Sequence, residues 1–186
     1  YPSVNLAGRQ PYFRTVMGPL GADIVVTQEM GTAAGIDSFR VNVLNVLQPG
    51  EWASAAFTQG NDSENGFFYR TSRVQLVGHR WFYVSSDVER YVNEYRIRPV
   101  GYTSSAADLY VYSVHLKAST ASADVAQRLR EATGLRDTLN NLPPGSHAIV
   151  MGDYNIYTGT EPALAKFLEN QPDNDGRLYD PLGLQG

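Results

Sequence analysis

The 186-residue sequence contains no cysteine, and this absence removes several classes of function at once. Disulfide-stapled folds, thiolate nucleophiles and cysteine zinc sites are all excluded. Any metal ion must therefore bind through oxygen or imidazole ligands. Oxygen ligands are typical of Mg²⁺, Ca²⁺ and Mn²⁺ sites, so these are the ions that the composition favours.

The chain also lacks a long hydrophobic run and an excess of positive charge. Its apolar runs, such as residues 24–26, are strand-sized and well short of the roughly 20 residues that a membrane-spanning helix needs. The net charge is −4, and Lys117 and Lys166 are the only lysines in the sequence. This disfavours a protein that coats nucleic acid non-specifically, because such binding relies on Lys and Arg. With 42% hydrophobic and 18% charged residues, the composition indicates one globular domain.

The N-terminus and the residue usage bear on the compartment. The sequence starts at Tyr1, and no charged-then-apolar leader follows, which predicts a processed or trimmed N-terminus. The absence of cysteine together with abundant Tyr, Asn, Ser and Thr suits an exported bacterial protein. We therefore expect a secreted or cell-surface location.

Strand-like and helical segments alternate along the chain, with turn residues between them. Strands are predicted where β-branched, apolar and aromatic residues cluster, at 22–30, 52–57, 67–70, 74–84, 95–102, 108–116 and 148–152. Helices are predicted from Asp37, which can act as a cap, to residue 47, from Thr120 or Ser122 to residue 142, and from residue 160 onward. This alternation predicts a layered α/β or α+β domain.

Three of the predicted apolar strands end in polar residues. Glu29 follows residues 24–27, His115 follows 109–114, and both Asp153 and Asn155 follow 149–152. Carboxylates at such positions are costly to bury unless they are paired or bound to a metal, so a shared polar site is the simplest explanation. Asp153 and Asn155 are two residues apart and project to one side of an extended segment, and Gly152 permits a close backbone approach.

These residues belong to three short motifs in a fixed order, namely Gln28-Glu29, Ser113-Val114-His115-Leu116 and, after a long helix, Gly152-Asp153-Tyr154-Asn155. The ordered set resembles the endonuclease/exonuclease/phosphatase family, and the similarity spans about residues 22–180. The resemblance implies a deoxyribonuclease I-like fold, a four-layer α/β/β/α sandwich of two mixed β-sheets flanked by helices. It also implies a phosphoesterase that uses a divalent metal ion, Mg²⁺ in the first place, with Mn²⁺ or Ca²⁺ as alternatives.

The resemblance further implies a role for each residue. Glu29 would bind the metal ion and hold it against a phosphate oxygen. His115 would donate to a non-bridging phosphate oxygen, Asp153 would orient or activate the attacking water or interact with the leaving oxygen, and Asn155 would hydrogen-bond the phosphate. Taken singly, each residue also has a structural explanation: a salt-bridged carboxylate at a strand end, a histidine of the core, or an Asx turn.

Family members often place a phosphate-binding arginine shortly before the histidine strand. Arg96 and Arg98 are the candidates for this role, and we prefer Arg98. They are two residues apart, so they share one face of the predicted strand at 95–102. A solvated strand face would explain both arginines equally well.

Two elements of the family pattern are missing. The first family strand ends in an asparagine that helps to hold the metal, but Asn5 lies too near the start of the chain to have a strand before it. The closing Ser-Asp-His-like motif, whose histidine is the usual general base, does not occur, and His79 and His147 lie in unsuitable contexts. We therefore expect residues 1–186 to form one domain that lacks its first strand and its C-terminal Asp-His segment. Such a domain should be less active than a version extended at both ends.

The interpretation that follows is a metal-dependent hydrolase of phosphodiesters or phosphomonoesters, a nuclease or a phosphatase, that uses in-line attack of water. Its substrate would be a nucleic acid, a nucleotide, a phosphoinositide or another small phosphoester, and the acidic net charge argues against processive binding to nucleic acid. The alternative is a non-catalytic binding or surface module that keeps the fold. A carbohydrate-binding β domain, suggested by the aromatic residues, would leave the strand-end carboxylates unexplained.

Overall fold

The computed structural model describes residues 6–60, 62, 64–86, 88, 90–172, 174–181 and 183. The strands are β1 (Ile24–Met30), β2 (Trp52–Ser54), β3 (Glu64–Arg70), β4 (Val74–Phe82), β5 (Val92–Pro99), β6 (Leu109–His115) and β7 (His147–Asp153). The α-helices are α1 (Leu6–Met17), α2 (Ala33–Phe39), α3 (Asn45–Leu47), α4 (Ser122–Asn140) and α5 (Pro162–Leu168). A π-helical turn joins α2 to α3, and short 3₁₀ turns lie at Gly18–Leu20 and Ser105–Ala107. None of the helices in this part of the chain combines the length and the apolarity that crossing a membrane requires.

The strands form two sheets. The first has the strand order β1-β3-β2, and both of its pairs are antiparallel. The second has the order β4-β5-β6-β7, in which β6 and β7 run parallel and the other pairs are antiparallel. Helix α4 provides the crossover that a parallel pair needs. Because β6 and β7 run in the same direction, their C-terminal ends lie side by side.

Three apolar clusters separate the layers. One cluster lies between the two sheets, a second between the first sheet and helices α1 and α2, and a third between the second sheet and helices α4 and α5. Neighbouring residues of β3 show how the alternation of a strand builds two of them. Phe67 stacks on Tyr95 of the second sheet, with 4.2 Å between ring centroids, whereas Phe68 faces Phe39 of α2 at 5.2 Å. The predicted four-layer α/β/β/α sandwich is confirmed.

Three elements begin at least three residues earlier than the sequence predicts, and one of them is β5, which begins at Val92 rather than at residue 95. Helix α2 begins at Ala33 because Thr32 caps it, its hydroxyl accepting from the Gly35 amide at 3.1 Å, and Asp37 lies inside the helix. Strand β3 begins at Glu64, since the polar residues at its start are buried rather than in a loop. The other predicted strands and the two later helices are present, with differences at their ends.

Helix α1 is not predicted by the sequence, because Pro11 interrupts it and its apolar residues show little helical periodicity. Tertiary contacts stabilise it instead. The Phe13 ring packs edge-on against Phe39 of α2, with 5.4 Å between centroids, and Arg14 Nη1 donates to the Asn42 carbonyl at 2.7 Å. Packing against a neighbouring helix thus outweighs a weak local preference.

Candidate functional site

The C-terminal ends of β1, β6 and β7 meet at one end of the sandwich. His115 is the last residue of β6 and lies in register with Asp153, the last residue of β7. Asn155 follows shortly after, and its Nδ2 donates to the Leu116 carbonyl at 2.9 Å. Strand β1 contacts both β6 and β7, and the charge of Glu29 acts on the His115 imidazole. The structure therefore brings together the four residues that the family motifs single out.

The backbone at this end adopts unusual conformations. Gly152 has φ of +134°, and a Cβ atom there would lie 2.1 Å from the Val114 carbonyl oxygen, so glycine is what lets β7 approach β6 directly before Asp153. The close approach predicted for Gly152 is confirmed. Glu29 and Asn155 have φ of +60° and +48°, in the left-handed region that non-glycine residues seldom occupy. The Asn155 amide donates to Asp153 Oδ1 at 2.9 Å, an Asx-type turn that fixes the orientation of the carboxylate.

His115 is buried, and its surroundings keep it uncharged. Its side chain is only 7% exposed, and Nδ1 has no hydrogen-bond partner within the described part of the chain. Burial, followed by the nearby positive charge of Arg90, lowers the pKa of His115, while Asp153, Glu29 and Asp62 oppose this shift. These surroundings favour the neutral imidazole, in which one ring nitrogen carries a proton that it can donate.

Arg90, which the sequence analysis does not single out, also lies at this end. Its Nε and Nη2 both contact Asp62 Oδ2 at 2.8 Å, and its Nη1 donates to the Leu116 carbonyl at 3.3 Å. Its side chain keeps 19% exposure. Arg90 comes just before β5, which runs antiparallel to β6, so residues at the start of β5 lie beside the end of β6. That antiparallel relation is the signal that could have identified Arg90.

Arg96 and Arg98 lie towards the other end of the second sheet, and the structure does not bring them to His115. Both guanidinium groups pair with Asp108, Arg96 Nε contacting Oδ2 at 2.6 Å, and Arg98 also donates to the Thr103 carbonyl at 3.0 Å. Asp108 directly precedes β6, whereas His115 ends it, a separation of about 20 Å at the usual rise along a strand. The structure gives no support to the predicted phosphate contact, because the antiparallel register places both arginines beside the start of β6.

The two remaining histidines, His79 and His147, do not lie at the candidate site. His79 stacks on Tyr95, with 4.6 Å between centroids, and its Nε2 lies 3.1 Å from Asn93 Oδ1. His147 is the first residue of β7 and lies at the end opposite Asp153. Neither is placed beside the residues that meet at the end of β6.

A buried ion pair supports the loops next to the site. Arg128 of α4 is fully buried; its Nε donates to Glu161, and its Nη1 donates to the carbonyls of Lys117 and Ser119 at 2.7 Å each. The Glu161 carboxylate in turn accepts from the Tyr157 amide at 3.3 Å. Arg128 thereby ties the segment after β6 to the segment after β7, and these two segments follow His115 and Asp153.

Two buried polar residues at the start of β3 lie near Arg90. Asn65 Nδ2 donates to the carbonyls of Tyr91 at 3.3 Å and Ser113 at 3.1 Å. Glu64 is 1% exposed, and its carboxylate, which faces the Tyr91 backbone, makes no hydrogen bond of normal geometry with the described residues. Burial raises the pKa of Glu64 to about 7, against the opposing effects of the Tyr91 backbone and Arg90, and with a further increase from Asp62.

This raised pKa predicts how stability depends on pH. Between the ordinary value of 4.5 and about 7, the folded chain holds the Glu64 proton and the unfolded chain does not, so stability falls as the pH rises through that window. Glu64→Gln, which resembles the protonated side chain, should raise the free energy of unfolding at pH 8 by up to about 3 kcal/mol and change it little at pH 4.5. Urea unfolding at both pH values measures the difference. Glu169→Gln, at an exposed position, should show no such gain, and an equal gain for Glu64→Gln at both pH values would contradict the burial argument.

The donor atoms at this end suit a hard divalent cation. Among the described residues there is no group of three or more His, Asp or Glu side chains that could hold a metal ion. Mg²⁺, however, commonly binds through one or two carboxylates and completes its shell with water and substrate phosphate. The exposed carboxylates of Glu29 and Asp153 fit that donor set. Asn5, the further ligand considered from the sequence, lies outside the described residues.

Comparisons with known proteins agree on the fold. No protein-family model and no curated protein matches the chain. Among solved structures, it is similar to mannosyl-6-phosphatase Bt3783 from Bacteroides thetaiotaomicron (16% identity, TM-score 0.66, 87% of this chain and 61% of that one). It is also similar to an endonuclease/exonuclease/phosphatase family protein from the same organism (18%, 0.64, 87% and 58%). A third is D. rerio TDP2 complexed with single strand DNA product (16%, 0.65, 89% and 58%).

The chain thus spans about three fifths of the length of these structures, 58% to 61%. At this level of identity the similarity concerns the fold alone. Both the arrangement of the two sheets and the superposition over most of the chain lead to one conclusion. The chain has the deoxyribonuclease I-like fold of the endonuclease/exonuclease/phosphatase proteins.

Proposed function

We propose that this chain is a divalent-metal-dependent phosphoesterase that hydrolyses a phosphodiester or a phosphomonoester by in-line attack of water. The observation that carries the proposal is the meeting of Glu29, His115, Asp153 and Asn155 at one end of the sandwich. Two carboxylates, a neutral imidazole and an amide around one point suit a reaction at a phosphate group.

Glu29 would hold the metal ion, which when bound supplies Lewis-acid polarisation of a phosphate oxygen. Asp153 would orient the attacking water, and the Asn155 amide that binds Asp153 Oδ1 keeps this carboxylate in place. His115, neutral because it is buried, would donate its N–H to a non-bridging phosphate oxygen. Arg90 would replace Arg96 and Arg98 as the arginine that faces the phosphate, since its guanidinium acts on the same imidazole.

The substrate class follows from the phosphate site and the neighbours. Mannosyl-6-phosphatase and TDP2 bound to a single strand DNA product differ in the group that carries the phosphate, and this chain has the fold of both. Nucleic acids, nucleotides, phosphoinositides and other small phosphoesters all present the phosphate that the site would hold. The proposal therefore specifies that the substrate carries a phosphate ester and leaves open the group attached to it.

Metal removal tests the proposal directly. We expect hydrolysis of bis-p-nitrophenyl phosphate or p-nitrophenyl phosphate that disappears in excess EDTA and returns when Mg²⁺ or Mn²⁺ is added, because Lewis-acid assistance is part of the chemistry. Release of p-nitrophenolate measures the rate, and the same assay with each ion in turn identifies the preferred metal. Full activity in excess EDTA would refute the metal dependence, and phosphoester binding without any turnover would favour the non-catalytic module.

A further inference from the structure

Three aromatic side chains form a rim beside the candidate site. Trp81 near the end of β4, Tyr83 just after that strand and Tyr91 just before β5 make up this aromatic rim; the Tyr91 ring lies 4.4 Å from Trp81 and 4.7 Å from Tyr83, centroid to centroid. Tyr91 is buried beneath the other two, whereas Trp81 and Tyr83 are 47% and 41% exposed. Two neighbouring exposed rings of this kind offer flat aromatic surface that a planar group of a ligand can contact.

The geometry of β4 explains why the rim is exposed. Trp81 and Tyr83 are two residues apart and share the face on which His79 also lies. His79 is covered by its stack on Tyr95, in the layer between the two sheets. Further along the same face, Trp81 and Tyr83 remain open to solvent, so the face that forms core near His79 becomes accessible surface at the end of the sandwich.

The rim is continuous with the end of the sandwich at which the phosphate would bind. Tyr91 directly follows Arg90, whose charge acts on His115. The Tyr91 carbonyl shares the Asn65 amide with the Ser113 carbonyl, and Ser113 precedes His115 by two residues on β6. A group attached to a phosphate at Arg90 and His115 therefore has the rim as its neighbouring surface.

We propose that the aromatic rim stacks a nucleobase of the substrate, which makes the phosphoester a nucleotide or a single-stranded nucleic acid; this rests on the proposed function, which places the phosphate. Every base has a flat π-face that stacks on Trp and Tyr without regard to sequence. The rings of the rim pack against one another at tilted angles, 36° between Trp81 and Tyr91 and 56° between Tyr83 and Tyr91, and the exposed surface of Trp81 and Tyr83 is what a base would contact. With a net charge of −4, phosphate neutralisation alone supplies little affinity for a nucleic acid, so contacts to the base would have to supply part of the binding free energy.

Tryptophan fluorescence provides a direct test. The sequence has two tryptophans, and Trp52 is buried with its indole N–H donating to Gln48, so a ligand that reaches the rim changes the emission of Trp81. The probes are AMP, a short single-stranded oligonucleotide, an abasic strand with the same number of phosphates, and mannose 6-phosphate, all titrated in EDTA to prevent turnover. We expect quenching by AMP or by the base-bearing strand, and little by the abasic strand or the sugar phosphate. AMP and the strand distinguish a nucleotide from a nucleic acid as the source of the base.

Substitutions assign the effect to the rim. Trp81→Ala and Tyr83→Ala should each weaken binding of the base-bearing probe by about 5-fold or more, the loss of one base–aromatic stack, and leave the abasic strand unchanged. Binding by the variants is followed by fluorescence anisotropy of a labelled probe. Trp81→Phe, which keeps an aromatic face, should retain most of the affinity. Tyr102→Ala, at an exposed tyrosine just beyond the opposite end of β5, is the matched control.

Several outcomes overturn the inference. It would be refuted by equal affinity for the abasic and base-bearing strands, or by equal weakening of both by Trp81→Ala. It would also be refuted if mannose 6-phosphate quenched as strongly as AMP, or if no base-bearing probe quenched at all. Failure of the proposed function is distinguishable, because binding is measured without turnover. A chain that stacks bases but hydrolyses no phosphoester refutes the phosphoesterase alone, and a chain that hydrolyses without base dependence refutes the rim alone.

Discussion

Asp153→Asn is expected to lower kcat/KM for phosphoester hydrolysis by about 10²- to 10⁴-fold, the usual contribution of a group that accepts or directs a proton. The carboxylate is exposed at the end of β7, and the Asx-type turn with Asn155 presents it to the site. Replacing it with an amide keeps the shape but removes the charge that would orient the attacking water. The measurement is steady-state hydrolysis of the substrate that the wild-type chain prefers, at saturating Mg²⁺.

Glu29→Gln provides the comparison that separates the two carboxylates. Because Glu29 would hold the metal, this variant should need a higher Mg²⁺ concentration for half-maximal rate, whereas Asp153→Asn should stay slow at every Mg²⁺ concentration. Asp137→Asn, at an exposed carboxylate on α4, is the matched control and should behave as the wild type. Unchanged activity of Asp153→Asn would show that another residue directs the water.

Glu161→Ala is expected to reduce the free energy of unfolding by about 3–5 kcal/mol, because it leaves the buried guanidinium of Arg128 without its carboxylate. Arg128 has no exposed surface and Glu161 only 6%. The loss should be visible in urea unfolding at pH 7. Glu169→Ala removes the exposed pair with Lys166 and should cost less than about 1 kcal/mol, as exposed pairs usually do.

The same ion pair predicts the direction of the acid effect. The hydrogen bond from Arg128 lowers the pKa of Glu161, so this contribution to stability is complete above the ordinary value of 4.5 and is lost as the pH falls through the lower folded-state value. The difference between wild type and Glu161→Ala should therefore narrow at acid pH. A difference that is constant from pH 7 to acid would mean that packing, rather than charge, accounts for the cost.

The strand-end residues could be found from the sequence because they break a local rule. Carboxylates and a histidine directly after apolar, β-branched runs pointed to Glu29, His115, Asp153 and Asn155 because burial of such groups is costly. The structure corrects the premise for the two carboxylates, since Glu29 and Asp153 are exposed and only His115 is buried. Their meeting at one end of the fold follows from the parallel pairing of β6 with β7 and from the packing of β1 against both.

The arginines show what sequence spacing leaves out. Spacing placed Arg96 and Arg98 on one face of a strand, and in the structure both do bind the same partner, Asp108. It could not show which end of β5 lies beside His115, because that depends on the direction and register of the neighbouring strand. Arg90 lies at the correct end but outside the predicted strand. The sequence also could not show that Glu64 is buried. Its burial depends on the second sheet and on Tyr91, both of which are distant in sequence from β3.

The left-handed backbone of Glu29 has an evolutionary consequence. A glutamate at φ of +60° carries a conformational cost of about 1–2 kcal/mol that a glycine would not. A lineage under selection for thermal robustness alone would favour glycine at this position, since that exchange relieves the backbone strain, although it also removes the carboxylate and the interactions that it makes. Retaining glutamate there would lower the stability of the fold in exchange for a carboxylate in a defined position. If Glu29 holds the metal ion as proposed, the residue at this position would separate homologous chains under selection for catalysis from those that keep only the scaffold.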